Sequence, residues 1–233
     1  MTKPDLRPRL VVFDLDGTLV DSAPDLIDSL NVILGREGLA PVPLEQGRKF
    51  VGKGGRVMLR RGLAAHGREI TDARLDELFA AFLACYNEHL TEKTRFYPGA
   101  EAALDRLEAG GFAFAICTNK LEHSSRKLIE ELGATARFKA ICGQDTFPVS
   151  KPNGAMLHRT IDKAGGDAAT AIMVGDTETD ILTARDARVP VIAVDFGYAT
   201  EPVATLGPDR VISHFDELDA AVGALRGATA AAS

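Results

Sequence analysis

Asp14-Leu15-Asp16-Gly17-Thr18-Leu19-Val20-Asp21-Ser22, directly after the apolar run Leu10-Val11-Val12-Phe13, is the stretch on which the fold reading turns. The run is short, rich in β-branched residues and soon followed by Gly17, as in a buried strand that stops abruptly. Two carboxylates, Asp14 and Asp16, stand where it ends. Ligands of an open α/β sheet bind beyond the carboxyl ends of its strands. Two anions this close require a cation or a shared proton. The pair therefore points to a metal-assisted site, or else to two acids decorating an Asp-Gly turn.

Working outward, the pattern turns helical for some seventy residues. Leu26, Ile27, Leu30, Ile33 and Leu34 repeat at helical spacing, with Asp21 or Ser22 as a cap and Gly35 and Gly38 as the stop. A second helix follows the glycines of VGKGGR, through Val57 to Leu63. A third, opened by Thr71 or Asp72, carries Leu75, Leu78, Phe79, Phe82, Leu83 and Tyr86 as a packing stripe. After Phe96-Tyr97-Pro98-Gly99 strands and helices alternate. Strands are expected at 112–117, 140–142, 171–174 and 191–194, with a weak one at Val211-Ile212. The helices between them fall near 102–107, 128–132, 156–164 and 180–187. This rhythm implies α/β architecture, a doubly wound Rossmann-like parallel sheet covered on both faces.

About a hundred residues separate the first two strands, whereas a βαβ crossover needs a few tens. The excess reads as a small all-helical cap domain, 21–92, inserted into a core of 1–20 and 93–233. It is expected to hinge near Asp21 and Arg95 and to act as a lid. The alanine-rich tail from Gly227 is expected to fray.

With 233 residues, 45% hydrophobic and 26% charged, the chain has the composition of a soluble globular protein. A formal net charge of −6 argues against nucleic acid as a partner. Three cysteines, Cys85, Cys117 and Cys142, read as reduced packing residues rather than a disulfide framework. The N-terminus has no apolar segment of signal-peptide length, and no run is long enough to span a membrane, so a cytoplasmic location is expected.

Chemistry-bearing residues recur at the later strand ends. Thr118 and Asn119 follow the second strand and suit a phosphoryl group or a helix cap, with Lys120 beside them as a weaker candidate. Lys151 precedes Pro152, whose ring limits bending and so can hold the ammonium where a phosphoryl transfer needs it. Asp176 lies just past the fourth strand and brings a third carboxylate to the same edge. The oxygen set suits Mg²⁺. Thr177-x-x-Asp180 also reads as a capping box at a helix start.

These four blocks, in this order and at these strand ends, resemble the haloacid dehalogenase-like superfamily of aspartate-nucleophile phosphotransferases. DLDGTLVDSAPDL and GDTETDILTARDARVPVIAVDFGY are most similar to its phosphoglycolate phosphatase branch. The resemblance implies a phosphatase acting on a small phosphorylated metabolite, 2-phosphoglycolate first among them. It implies Asp14 as nucleophile, Asp16 as general acid and base, and Thr118 and Lys151 on the phosphoryl oxygens. Mg²⁺ would be held by Asp14, the backbone carbonyl of Asp16 and Asp176, with Asp180 in support. Dehalogenases and phosphonatases of this type differ two residues after the nucleophile, and mutases resemble a Glu where Gly175 stands. A receiver-like signalling domain or an inactive scaffold is the reading from other classes; the DxDGT spacing and the lid oppose the first.

Specificity is expected in the lid. Between Glu45 and Glu69 there is no acid, yet Arg48, Lys49, Lys53, Arg56, Arg60, Arg61 and Arg68 all fall there. Lys53 and Arg56 flank the glycines of a turn able to offer N–H groups to an anion, and are the expected contacts for a substrate carboxylate.

Overall fold

The computed structural model describes residues 9–231. The stretch read for a signal segment lies mostly outside the described residues, as do 232 and 233. From the first strand, β1 (Arg9–Phe13), the chain passes through β2 (Val20–Asp21), α1 (Ala23–Arg36), α2 (Leu44–Arg48), α3 (Gly55–Ala64) and α4 (Asp72–Glu88) to β3 (Arg95–Phe96). It continues with α5 (Ala100–Ala109), β4 (Phe112–Cys117), α6 (Glu122–Glu131), β5 (Phe138–Cys142), α7 (Gly154–Lys163) and β6 (Ile172–Gly175). α8 (Glu178–Asp186), β7 (Val191–Val194), β8 (Arg210–Ile212) and α9 (Leu218–Ala231) complete it.

Six of the strands form one sheet in the order β5-β4-β1-β6-β7-β8. Every pairing in it is parallel, as expected from strands joined by helices. The chain builds outward from β1 to β5, then returns to β6 on the other side of β1. That reversal makes β1 the switch point where such sheets bind ligands. Phe13 stands level with Ile116 of β4 and Val174 of β6, so the three strands end together.

Alternation along β1 sends Leu10 and Val12 to one face and Val11 and Phe13 to the other, and all four are fully buried. The Leu10 face packs under α7 and α8 residues such as Leu157 and Ile181. The Phe13 face belongs to an apolar cluster that continues through Leu30, Leu59 and Phe82 of the inserted helices. Val20 pairs with Phe96 and Asp21 with Arg95 in an antiparallel ribbon, so the chain leaves for the helices and returns side by side. Asp25 in α1 binds that return, accepting from the Lys93 and Thr94 N–H groups and the Thr94 hydroxyl at 2.7–3.0 Å.

Differences from the sequence reading are local. α2 was not anticipated: five residues opening after Pro43 are too few to display a helical period. α1 runs through Gly35, and the left-handed turn falls at Gly38, φ +71°. Ser22 stands at the N-cap of α1 but gives that helix no side-chain cap, because its hydroxyl is taken elsewhere. Thr71 caps α4 as expected, accepting from the Arg74 N–H. The tail expected to fray is helical to Ala231. Cys117 and Cys142 are buried in β4 and β5, whereas Cys85 is only half-buried. No helix among the described residues is long and apolar enough to cross a membrane.

Candidate active site

Because β1, β4 and β6 are parallel and level, the residues just beyond each meet at one edge. Asp14 donates its N–H to the Val174 carbonyl at 2.9 Å, which extends the β1–β6 ladder and fixes the start of its side chain. Thr118 donates to the Cys142 carbonyl at 3.0 Å, doing the same between β4 and β5. Asp14, Asp176 and Asp180 come together with carboxylate oxygens within 4.8 Å of one another, and all three are buried.

Lys151 is the counter-charge. Its ammonium lies 2.6 Å from Asp180 Oδ1 and 2.9 Å from Asp14 Oδ1, and its side chain is only 1% exposed. Only the Asp180 contact has hydrogen-bond geometry. Burial by itself would lower the Lys151 pKa, but Asp14 and Asp180 hold it well above its ordinary value. Burial pushes Asp14 up to about 6 despite the attraction of Lys151, with Asp180 adding to the rise. Asp176 is pushed well above the usual carboxylate range, by burial first and then by Asp180 and Asp14.

Asp176 is held by two donors, the Thr18 hydroxyl at 2.9 Å and the Tyr198 N–H at 2.7 Å. Asp180 does both jobs read from its spacing. One oxygen bonds Lys151, and the other accepts from the Thr177 N–H and hydroxyl in the capping box of α8. The backbone comes close here. A Cβ on Gly17, whose φ is +88°, or on Gly197 would lie 2.4 Å from Asp176 Oδ2. These glycines leave room around the carboxylates.

With all three carboxyl groups ionised, one ammonium would leave two negative charges uncompensated, and Asp14 Oδ1 has no hydrogen bond among the described residues. An all-oxygen donor set with that charge deficit fits a small hard divalent cation. The residues present therefore suit Mg²⁺.

Asp16 stands apart from this cluster. Its Oδ1 accepts from the Ser22 hydroxyl at 2.5 Å and from Lys120 Nζ at 3.0 Å, with Oδ2 3.3 Å from the same ammonium. Lys120, the weaker candidate in sequence, is 6% exposed in its side chain and also donates to the Tyr86 hydroxyl at 2.6 Å. Burial raises the Tyr86 pKa well above the tyrosine range, so its hydroxyl keeps its proton. Thr118 accepts from the Lys120 N–H at 3.2 Å. Asn119 donates to the Lys151 carbonyl at 3.2 Å, and its own buried carbonyl oxygen has no partner among the described residues.

Asp14, Asp16, Thr118 and Asn119 all open onto a cavity of about 50 Å³ roofed by Met58, Phe79 and Phe82 of the inserted helices. At about 10–15 Å³ per water, that is room for a few water-sized groups. Lys53 and Arg56 do not line it. Arg56 is turned away to pair with Asp76 of α4 and to lie over the Phe79 ring, because α3 and α4 pack face to face there. Lys53 is exposed and lines a separate cleft beside Gly52 with Thr177 and Glu178. The lid residues expected to meet the substrate are thus not brought to the site, and among the described residues Lys120 is the basic side chain that lines the cavity.

Thr18, Ser22, Tyr86 and Tyr198 were not singled out as site residues by sequence reading. Thr18 and Ser22 had a signal, since both lie within the DLDGTLVDS stretch. Tyr86 was legible only as one member of an apolar stripe. Tyr198 closes the quoted stretch GDTETDILTARDARVPVIAVDFGY, but nothing in its spacing shows that its N–H reaches Asp176, twenty-two residues away.

The chain matches the model of the haloacid dehalogenase-like hydrolases over residues 11–194. It is 52% identical over 212 residues to a phosphoglycolate phosphatase of Mesorhizobium japonicum, covering 91% of this chain and 93% of that one. A phosphoglycolate phosphatase of Agrobacterium fabrum is 45% identical over 222 residues, 95% of each chain. A crystal structure from Haemophilus somnus, described as a predicted phosphoglycolate phosphatase, superposes with a TM-score of 0.84 at 29% identity, covering 90% of this chain and 96% of that one.

Proposed function

This chain belongs to the haloacid dehalogenase-like hydrolases and is a phosphatase, and from that premise we propose that it hydrolyses 2-phosphoglycolate through a phosphoryl-enzyme on Asp14, with Mg²⁺ as cofactor. The observation that carries the reading is the buried meeting of Asp14, Lys151, Asp176 and Asp180 at the switch point, with Asp14 lining a small cavity under the inserted helices. The substrate rests on the relatives at 52% and 45% identity, both phosphoglycolate phosphatases.

In the first step a carboxylate oxygen of Asp14 attacks phosphorus. The bond from phosphorus to the ester oxygen breaks, and that oxygen leaves as the alcohol with the proton carried by Asp16. In the second step water attacks the same phosphorus and gives its proton to the Asp16 carboxylate. The bond from phosphorus to Asp14 breaks, releasing inorganic phosphate and restoring the nucleophile. One group serving as acid and then base contributes about 10²–10⁴-fold.

Lys151 is fixed between Asp14 and Asp180, so its charge is in position before substrate arrives and no reorganisation is needed at the moment of transfer. Thr118 and Asn119 offer a hydroxyl and a carboxamide to the phosphoryl oxygens at the end of β4. Mg²⁺ would be held by Asp14, the Asp16 carbonyl and Asp176, with Asp180 supporting Lys151 and Asp176. When bound it supplies Lewis-acid neutralisation of phosphoryl charge. Residues 21–92 act as a cap whose apolar roof excludes bulk water, which strengthens every charge interaction beneath it. The hinge is the β2–β3 ribbon.

A mutase reading is opposed by local packing. A Cβ at Gly175 would lie 2.3 Å from Asp180 Cβ, so the glutamate that mutases resemble there has no room. The test is a phosphate-release screen of phosphorylated metabolites with Mg²⁺. Preference for 2-phosphoglycolate supports the assignment, and no turnover of it with robust turnover of another ester reassigns the substrate.

A further inference from the structure

The site just described leaves one charged group without a part in the chemistry. Lys120 is buried where the turn after β4 meets helix α4 of the cap. Its ammonium bonds two groups, Asp16 on the core side and the Tyr86 hydroxyl on the cap side, with the Tyr86 ring centroid 4.3 Å away. Tyr86 is itself immobilised, 1% exposed and stacked on Phe82 at 5.8 Å between centroids. A long flexible side chain is thereby held at both sides of its charged end.

What this does to Asp16 follows from the contacts. Oδ1 receives both the 2.5 Å bond from Ser22 and the shorter 3.0 Å bond from Lys120. Oδ2 has only the longer 3.3 Å contact. The carboxylate is thus fixed in rotation, with Oδ1 holding two short bonds and Oδ2 the less engaged oxygen. Ser22 directly follows the β2–β3 hinge ribbon, while Lys120 is steadied by Tyr86 far along helix α4 of the cap. Opening the cap would withdraw Tyr86 and release one side of the clamp.

We infer that Lys120 is a positioning residue that, anchored by Tyr86 of the cap, holds Asp16 with its less engaged oxygen Oδ2 turned to proton transfer, so that the acid–base group is in register only when the cap is closed. The inference rests on the phosphatase reading above. It assigns a separate residue pair the task of linking closure to chemistry. A displacement of about 1 Å in such a group costs about 10²-fold in rate.

The test separates the two half-reactions. With p-nitrophenyl phosphate the leaving phenolate needs no proton, so the first step is insensitive to Asp16, while the second still requires it. With 2-phosphoglycolate the leaving alkoxide needs the proton, so both steps require it. For a two-step enzyme kcat/KM reports the first irreversible step. Lys120→Met is therefore expected to lower kcat for p-nitrophenyl phosphate about 10²-fold while its kcat/KM stays within about threefold. A burst of about one p-nitrophenolate per active site should precede the slow phase. For 2-phosphoglycolate, kcat and kcat/KM should fall together. Tyr86→Phe, which leaves Lys120 and Asp16 intact, should show the same pattern at about tenfold, and decides the matter if Lys120→Met does not fold.

If kcat/KM for p-nitrophenyl phosphate falls in step with kcat, Lys120 serves the phosphoryl group or the fold, and the inference is overturned. Wild-type rates on both substrates overturn it as well. If the wild-type enzyme with Mg²⁺ releases phosphate from neither ester, the phosphatase reading fails and this inference with it.

Discussion

Asp14→Asn separates chemistry from stability. The side chain is 4% exposed, and burial lifts its pKa from 3.8 to about 6 even with Lys151 beside it. At about 1.36 kcal/mol per pKa unit, ionising it in the folded metal-free protein costs up to about 3 kcal/mol more than in the unfolded chain. The sign follows from linkage. Below pH 3.8 both states carry the proton and no penalty exists; between 3.8 and about 6 the unfolded chain gives up its proton first, so the penalty grows with pH and is complete above about 6. Asparagine fills nearly the same volume and never ionises, and Lys151 keeps its 2.6 Å bond to Asp180. In EDTA at pH 7.5 the variant is therefore expected to melt higher than wild type, by about 6–12 °C at about 2–4 °C per kcal/mol. Near pH 4 the two should coincide. Saturating Mg²⁺ should narrow the gap, since cation at a hundred times its Kd adds about 2.7 kcal/mol to the form that binds it. Phosphate release should be abolished throughout. Thermal melts and urea titrations in EDTA across this pH range are the measurement. A metal-free variant no more stable than wild type at pH 7.5, or a difference independent of pH, refutes the argument that burial destabilises this carboxylate. A tenth of wild-type turnover would show that Asp14 is not the nucleophile.

Other outcomes follow from the same geometry. EDTA should silence phosphate release and Mg²⁺ restore it, while Ca²⁺ should inhibit because it takes more ligands at longer distances; full activity in EDTA would sink the metal-assisted reading. Asp176→Ala should raise the Mg²⁺ concentration for half-maximal activity at least about tenfold, since a carboxylate ligand and the partner of Thr18 and the Tyr198 N–H go together, and a metal titration checks it. Lys53→Met and Arg56→Met should leave kcat/KM on 2-phosphoglycolate and p-nitrophenyl phosphate within about twofold, since surface changes away from a site are worth about 0.5 kcal/mol or less; a selective tenfold loss on 2-phosphoglycolate would return both residues to the substrate. Gly17→Ala should lower the midpoint and weaken Mg²⁺ binding together, because its Cβ would meet Asp176 Oδ2 at 2.4 Å in a backbone conformation that alanine resists; calorimetry with and without metal tests both.

What the sequence determined by itself was whatever depends on chain-local pattern and strand direction. The apolar run Leu10–Phe13, ending at paired acids, was enough to announce a strand with a site at its end. The β/α alternation made the sheet parallel, so Asp14, Thr118 and Asp176 had to emerge at one edge whatever the details of packing. Thr177 and Asp180 were legible because a capping box is a contact between residues three apart. Only the tertiary structure decided which way the long side chains turn. Arg56 and Lys53 sit beside the glycine turn in sequence, but α3 packs on α4, so Arg56 goes to Asp76 and Lys53 to a neighbouring cleft. Lys120 was only a weaker candidate beside Thr118 and Asn119, yet the cap closes over it and makes it a bridge from Tyr86 to Asp16. Tyr198 reaches Asp176 across the sheet edge with no spacing to announce it. A lysine or arginine has several rotatable bonds and no preferred partner until burial supplies one, so its role is fixed by which elements pack against it.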